Sequence, residues 1–230
     1  IGDCAFFECT GLTAITFPSG ITSIGEQAFS YCNNLRTVSL PDTLTQVGGH
    51  AFFSCNALAA VHIPGGVNSI SDQAFAFCTS LTALDVPDSV QTIGYEAFKG
   101  CFSLTTLSLG AGLTSIGSGM CDGCSALANL TLRNDLSGFQ VSAFLGYERD
   151  HVTNVVIGAG TTSIRNSAFE GCTGLTAFTI PDGVITIGDR AFCSCVRLTS
   201  VVIPDSVTNI GQEAFADCSS LETLAIGSGV

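Results

Sequence analysis

Twelve cysteines are the residues of this 230-residue chain best suited to chemistry, and their spacing is regular. Nine fall in one column, at Cys9, Cys32, Cys55, Cys78, Cys101, Cys124, Cys172, Cys195 and Cys218, with steps of 23 residues except across the gap after Cys124. Cys4, Cys121 and Cys193 stand outside it. If equivalent residues stack about 5 Å apart, bridging is within the disulfide range. An odd number of thiols pointing one way into a packed interior favours free cysteines acting as small hydrophobes. The sequence leaves both readings open and favours the buried thiol. Cys121-Asp122-Gly123-Cys124 has redox-motif or zinc spacing, but no second Cys/His pair completes a zinc set. Its simpler account is a cysteine standing in a phenylalanine column, followed by an ordinary member of the cysteine column.

The three histidines, His50, His62 and His151, belong to different repeats and different faces, so no Ser/His/Asp or Cys/His constellation forms. Adjacent Asp150 and His151 are not spaced as a catalytic dyad. Phosphate-cradling glycine loops and nucleophile-elbow patterns are absent from the sequence, and neither an enzyme nor a cofactor is expected. A net charge of −12 and a pI near 4.3 argue against nucleic acid and anionic membrane. No apolar run approaches a membrane span. Asp85 and Asp88 suit turns and solubility better than weak calcium binding. The densest charged run is Glu148-Arg149-Asp150-His151, preceded by Tyr147, in a chain only 11% charged. Tyr147, Glu148, Arg149, Asp150 and His151 are therefore candidate binding residues on a projecting loop, against the plainer reading of drift at a tolerated bulge.

What positions these residues is a repeat. All six prolines (Pro18, Pro41, Pro64, Pro87, Pro181, Pro204) occupy one slot of a 23-residue period. Aligned on them, a phenylalanine column runs Phe6, Phe29, Phe52, Phe75 and Phe98, then Cys121 as a substitute, then Phe144, Phe169, Phe192 and Phe215. The unit reads L-x-x-V-x-I-P-D-x-V-x-x-I-G-x-x-A-F-x-x-C-x-x. Alternation such as Val38-Ser39-Leu40 is the period of a strand with one buried face. Proline ends that strand, because it cannot donate to a ladder. Glycine after the isoleucine (Gly25, Gly48, Gly94) is expected to permit a bend. Ten strands of this kind are expected, in one domain spanning 1–230 that reads as a slice of a longer array. The fault lies around 121–165, where Phe144 to Phe169 is two residues longer than the period, Arg133 replaces proline and Phe139 replaces isoleucine.

This unit resembles the BspA-like (Treponema-pallidum-type) class of the leucine-rich repeat family, over essentially the whole chain. The resemblance implies a β-rich α/β solenoid: a right-handed leucine-rich-repeat coil of about ten 23-residue repeats, with a parallel β-sheet on its concave face. It also implies extracellular or cell-surface display and adhesion to a protein or glycan on another cell or matrix. Candidate contacts on the concave face are Arg36, Ser39, His62, Asp85, Ser108, Asn129 and Thr131. Asn129-Leu130-Thr131 is also a glycosylation sequon. The family motif is structural throughout and transfers no catalytic residue. A competing reading is a rod or filament built by end-to-end self-association, favoured by the small, mildly polar outward positions. Ice or mineral binding through the column of Thr13, Thr82, Thr105, Thr153, Thr176 and Thr199 is weakened by interruptions at Arg36, Ala59, Ala128 and Glu222.

Overall fold

Each coil begins where a β-branched or leucine residue turns inward between two polar neighbours. In β3 (Thr37–Ser39) Val38 is buried while Thr37 and Ser39 are exposed. The turn after Pro41 closes through the Leu44 N–H, which donates to Pro41 O at 2.9 Å. The chain then enters a two-residue strand, β4 (Gln46–Val47), which buries Val47. A computed structural model of the chain describes residues 1–133 and 141–230, so Phe139 lies outside the described residues, as does the Tyr147 side chain. The described residues form two compact units, Ile1–Leu127 and Ala128–Val230.

In Ile1–Leu127 the longer strands are β1 (Ala14–Thr16), β3, β5 (Ala60–His62), β7 (Ala83–Asp85) and β9 (Thr106–Leu109). They pair in parallel, with Ile15, Val38 and Val61 in one register and Leu84 opposite Leu107. The short strands β2 (Ser23–Ile24), β4, β6 (Ser69–Ile70), β8 (Thr92–Ile93) and β10 (Ser115–Ile116) make one parallel five-stranded sheet. A third ladder joins the coils where no strand is formed. The N–H groups of Gln27, Phe29 and Tyr31 donate to the carbonyls of Gly49, Ala51 and Phe53, each at 2.8 Å. Here the backbone alternates in hand: Gln27 and Tyr31 lie at φ +54° and +61°, and His50 and Ser54 at +55°.

In Ala128–Val230 the longer strands are β11 (Asn129–Leu132), β12 (Asn154–Ile157), β14 (Ala177–Phe178), β16 (Ser200–Ile203) and β18 (Thr223–Ile226). The short ones are β13 (Ser163–Ile164), β15 (Thr186–Ile187) and β17 (Asn209–Ile210). Asn129 pairs with Asn154, a step of 25, whereas Asn154 pairs with Ala177, a step of 23. The two extra residues are therefore absorbed between β11 and β12 without loss of register. That stretch includes the only helices among the described residues, α1 (Val141–Leu145) and a 3-10 helix (Gly146–Asp150).

The phenylalanine column is the core of both units. Phe29, Phe52, Phe75 and Phe98 are fully buried and stacked, with centroids 5.4, 5.3 and 6.1 Å apart. Phe169, Phe192 and Phe215 stack at 5.2 and 5.1 Å, and Phe178 packs against the first two. The cysteine column has a bonding reason as well as a packing one. Cys55 Sγ donates to Phe29 O at 3.2 Å, Cys78 Sγ to Phe52 O at 3.3 Å and Cys195 Sγ to Phe169 O at 3.2 Å. Each phenylalanine carbonyl thus takes an N–H from the cysteine of its own coil and an S–H from that of the next. All twelve cysteines are free thiols, and burial pushes Cys78 up to about 12.

Three expectations need correction. Helix is confined to the two short segments above, so among the described residues this is a parallel β-solenoid rather than an α/β one. Its ten longer strands bracket about nine turns, not ten complete repeats. The glycine after isoleucine is also there for a different reason. Gly48 has no left-handed φ, but a Cβ on it would lie 2.6 Å from Ile24 O of the preceding coil. Close approach of successive coils, not a bend, excludes the side chain.

Candidate binding surfaces

Strand alternation sends every second side chain of the longer strands out of the core, and parallel pairing sets those side chains in rows. In Ile1–Leu127 the row runs Thr16, Ser39, His62, with Asp85 beside Ser108 in the next pair of strands. Ser39, His62 and Asp85 are exposed and Ser108 is half-buried, while Arg36 is exposed one residue before β3. Its backbone N–H donates to Thr13 O at 2.8 Å, which fixes where the side chain leaves the coil.

In Ala128–Val230 the equivalent row is more apolar. Asn129 and Thr131 are half-buried, and Asn154 Nδ2 donates to Asn129 Oδ1 at 3.4 Å. Val156 and Val202 are 51% and 63% exposed. Shallow grooves of about 340 and 640 Å³ run along this row. Val156, Phe178 and Pro181 line the first; Val202, Asp205 and Ala225 line the second; Thr179 lies in both.

The charged run forms the 3-10 helix and is held down by its neighbours. His151 Nδ1 lies 3.0 Å from Glu148 Oε2, and Glu148 is itself buried. Thr173 Oγ1 donates to Asp150 Oδ1 at 2.6 Å. The Arg149 guanidinium lies over Gly171, where an added Cβ would meet its Cζ at 3.4 Å. Thus Glu148, Arg149, Asp150 and His151 do come together, and all four make contacts within the protein. The threonine column is also engaged: Thr105 Oγ1 donates to Thr82 O at 3.0 Å, and Thr199 Oγ1 to Thr176 O at 3.2 Å. The aspartates expected only to shape turns do more. Asp88 Oδ1 accepts the Ala111 N–H at 2.8 Å, and Asp205 Oδ1 the Ser228 N–H at 2.7 Å, tying each turn to the next coil.

Cys101, Cys121 and Cys124 hydrogen-bond through their side chains, which with burial raises Cys101 well above an ordinary thiol. Among the described residues no group of three or more ligand-type side chains is arranged to hold a metal ion.

Sequence reasoning missed one surface. In Ile1–Leu127 the rings of Phe7, Tyr31, Phe53 and Phe77 meet in a second aromatic file outside the core. Their centroids are 5.7, 5.4 and 5.3 Å apart, and their planes cross at 75°, 64° and 70°. His50 packs on Phe53 at 5.5 Å and lines an open groove of about 590 Å³ with Ser69, Ser71, Asp72, Thr92 and Tyr95. The signal was present but staggered: these rings sit one or two residues after the core phenylalanine in alternate repeats, so no single column displays them.

Parallel strands recurring every 23 residues around stacked phenylalanines and inward thiols define a leucine-rich-repeat solenoid. The repeat matches the BspA-type leucine-rich repeat region, in six copies, over residues 1–79, 50–147 and 147–230, and the chain belongs to that family. A leucine-rich repeat protein from Bacteroides ovatus is 28% identical over 99% of this chain, with a TM-score of 0.63. This chain spans 58% of the length of that one. The leucine-rich repeat protein of T. pallidum is 26% identical, with a TM-score of 0.51, over 91% of this chain and 78% of its own. No curated protein matches the sequence. No helix among the described residues is long and apolar enough to cross a membrane.

Proposed function

We propose that this chain is a non-catalytic binding module displayed outside the cell, which adheres to a protein or glycan of another cell or matrix through its strand-face rows. The observation that supports this most is the exposure of Val156 and Val202 on a paired parallel strand face, where the fold itself does not require an apolar residue. Family membership supports the surface setting. Many weak contacts repeated along a row give useful strength only when several engage together. The segment from Tyr147 to His151 is a second candidate contact on the same module.

The test is adhesion of the purified chain to immobilised matrix proteins and glycans. Val156→Ser combined with Val202→Ser should lower retention at least tenfold, with an unchanged circular dichroism spectrum. Equal retention would remove the strand face from consideration. Arg149→Ala with Asp150→Ala asks the same of the 3-10 segment. A structural reading, end-to-end self-association into a rod, is favoured by the small, mildly polar outward residues Thr16, Ser39 and Ser108. Sedimentation over a hundredfold concentration range separates the two, since a rod lengthens with concentration and a monomeric binder does not.

A further inference from the structure

We propose that Ile1–Leu127 carries a second binding surface, built from the outer aromatic file and the adjoining hydroxyl-lined groove, and that it takes a neutral glycan chain.

The backbone makes the first part of the case. Tyr31 and Phe77 hold left-handed conformations, at φ +61° and +60°, a region that bulky side chains avoid. The same slot is left-handed in other coils too, where it holds Gly100, Gly123 and Gly171, which adopt it freely, and the small or polar Glu8, Ser54, Ser194 and Asp217, but no other aromatic ring. Aromatic residues here are therefore opposed by the backbone. Core burial does not compensate, because Tyr31 is 40% exposed and Phe77 half-exposed. The next coil even makes room for Phe77: a Cβ on Gly100 would fall 2.5 Å from its Cδ1. Rings that are strained, exposed and locked against one another point to a ligand rather than to packing.

The chemistry of the ligand follows from the neighbours. Aromatic faces carry partial negative charge and attract the C–H edges of an apolar ring face. The groove beside them offers Ser69, Ser71 and Thr92 as hydroxyl partners, with the His50 imidazole at the junction. A molecule with one C–H face and a rim of hydroxyls meets both demands, which describes a sugar. Successive rungs are one coil apart, about 4.8 Å, close to the length of one sugar ring in an extended chain. A polymer of such rings would find the same environment at each step.

Charge selects the neutral kind. Ile1–Leu127 has nine carboxylates against Arg36 and Lys99 alone, which disfavours sulfated or carboxylated sugars. Two of the three carboxylates nearest the groove are held within the protein, whereas Glu26 lines it without such a bond, so a basic partner is the alternative that the poly-lysine control must exclude. Glu96 accepts from Lys99 Nζ at 2.5 Å and Gln73 Nε2 at 2.7 Å, and Asp72 Oδ1 accepts the Tyr95 N–H at 2.7 Å. The matching slots of Ala128–Val230 hold Glu170 and Gly171, Cys193 and Ser194, and Ala216 and Asp217, so no such file forms there among the described residues.

The experiment is affinity electrophoresis of the full chain in gels containing neutral polysaccharides (glucans, mannans and xylans), with sulfated dextran and poly-lysine as controls. Tyr31→Asn combined with Phe77→Gly removes two rungs with residues that accept left-handed backbone, so thermal melting should show the fold intact. Retardation by at least one neutral polysaccharide, weakened at least tenfold in this double variant and unchanged in Val202→Ser, is the expected result. No retardation by any neutral polysaccharide, equal retardation of the double variant, or binding to poly-lysine alone would overturn the proposal. Loss in Val202→Ser but not in the aromatic variant would return glycan binding to the strand face.

Discussion

Phe29, Phe52 and Phe75 in Ile1–Leu127, and Phe169 and Phe192 in Ala128–Val230, stand at the same depth and nearly the same spacing, yet the surfaces above them differ. One residue past the column phenylalanine, the first unit places Phe7 and Phe53; the second places Glu170, which meets Arg190. On the strand face the first unit shows Ser39, His62 and Asp85, and the second shows Val156 and Val202. Coil-to-coil bonding explains why the two layers are separable. Core columns are fixed from both sides by the coil above and below, through Sγ–carbonyl bonds and ring stacking. Outward positions meet only one neighbour per side and tolerate substitution. Interiors of this kind record the fold, and the surfaces above them are free to differ.

The largest effect should come from the shared layer. Phe75→Ala, in the middle of the stack, is expected to lower stability by roughly 3–5 kcal/mol, and Phe192→Ala by a similar amount. Urea unfolding measures both. A loss below about 1 kcal/mol in either unit would mean the cores are not equivalent. Cys78→Ala removes the S–H donor to Phe52 O but leaves that carbonyl the Cys55 N–H. A loss of about 1 kcal/mol is expected, and Cys78→Ser should recover part of it.

Much of this shared layer was legible in the sequence, because each buried column repeats at a fixed step. The phenylalanine and cysteine files, the strand ends at proline and the two-residue insertion could all be read from spacing. Other features could not. A cysteine column shows burial but not that each thiol answers the carbonyl of the ring before it. Glycine at 25 and 48 looks like a bend until the preceding coil is in place. Tyr31 and Phe77 occupy a different slot from Phe7 and Phe53, and only the alternating hand of the backbone turns the two slots into one file. The Glu148–His151 run was legible as an anomaly, though not the contacts that tie it to Thr173 and Gly171.

Smaller effects sharpen the contrast between the surfaces. Arg190, half-exposed, pairs with Glu170 at 2.5 Å and Glu213 at 3.5 Å. Arg190→Ala should change stability only slightly, and less at high salt, because its pairs are solvent-screened. The smallest expected effect is on acid stability. Burial opposes ionisation of Glu96, but hydrogen bonds from Lys99, Tyr95 and Gln73 outweigh it and hold the carboxyl below its ordinary value of 4.5. The Ser167 and Arg190 side chains do the same for Glu170 against its own burial. A carboxyl depressed in the folded state stabilises it fully above the ordinary value and loses that contribution as pH falls through the folded one. Melting temperature should therefore be flat above about pH 5 and decline below about 4.5, with Glu96→Gln and Glu170→Gln each softening the decline. An unchanged acid limb in both variants would assign it to other carboxylates.

Register, with like residue above like, underlies every surface described. Ser39 and His62 are paired in adjacent strands, so their Cα atoms should lie about 4.8 Å apart, against roughly twice that between Ser39 and Asp85 two coils away. A disulfide spans the first distance and not the second. Under mild oxidation, Ser39→Cys with His62→Cys should close a bridge detectable by mass spectrometry, while Ser39→Cys with Asp85→Cys should stay open. Closure of the second pair in preference to the first, or of neither, would contradict the in-register coil.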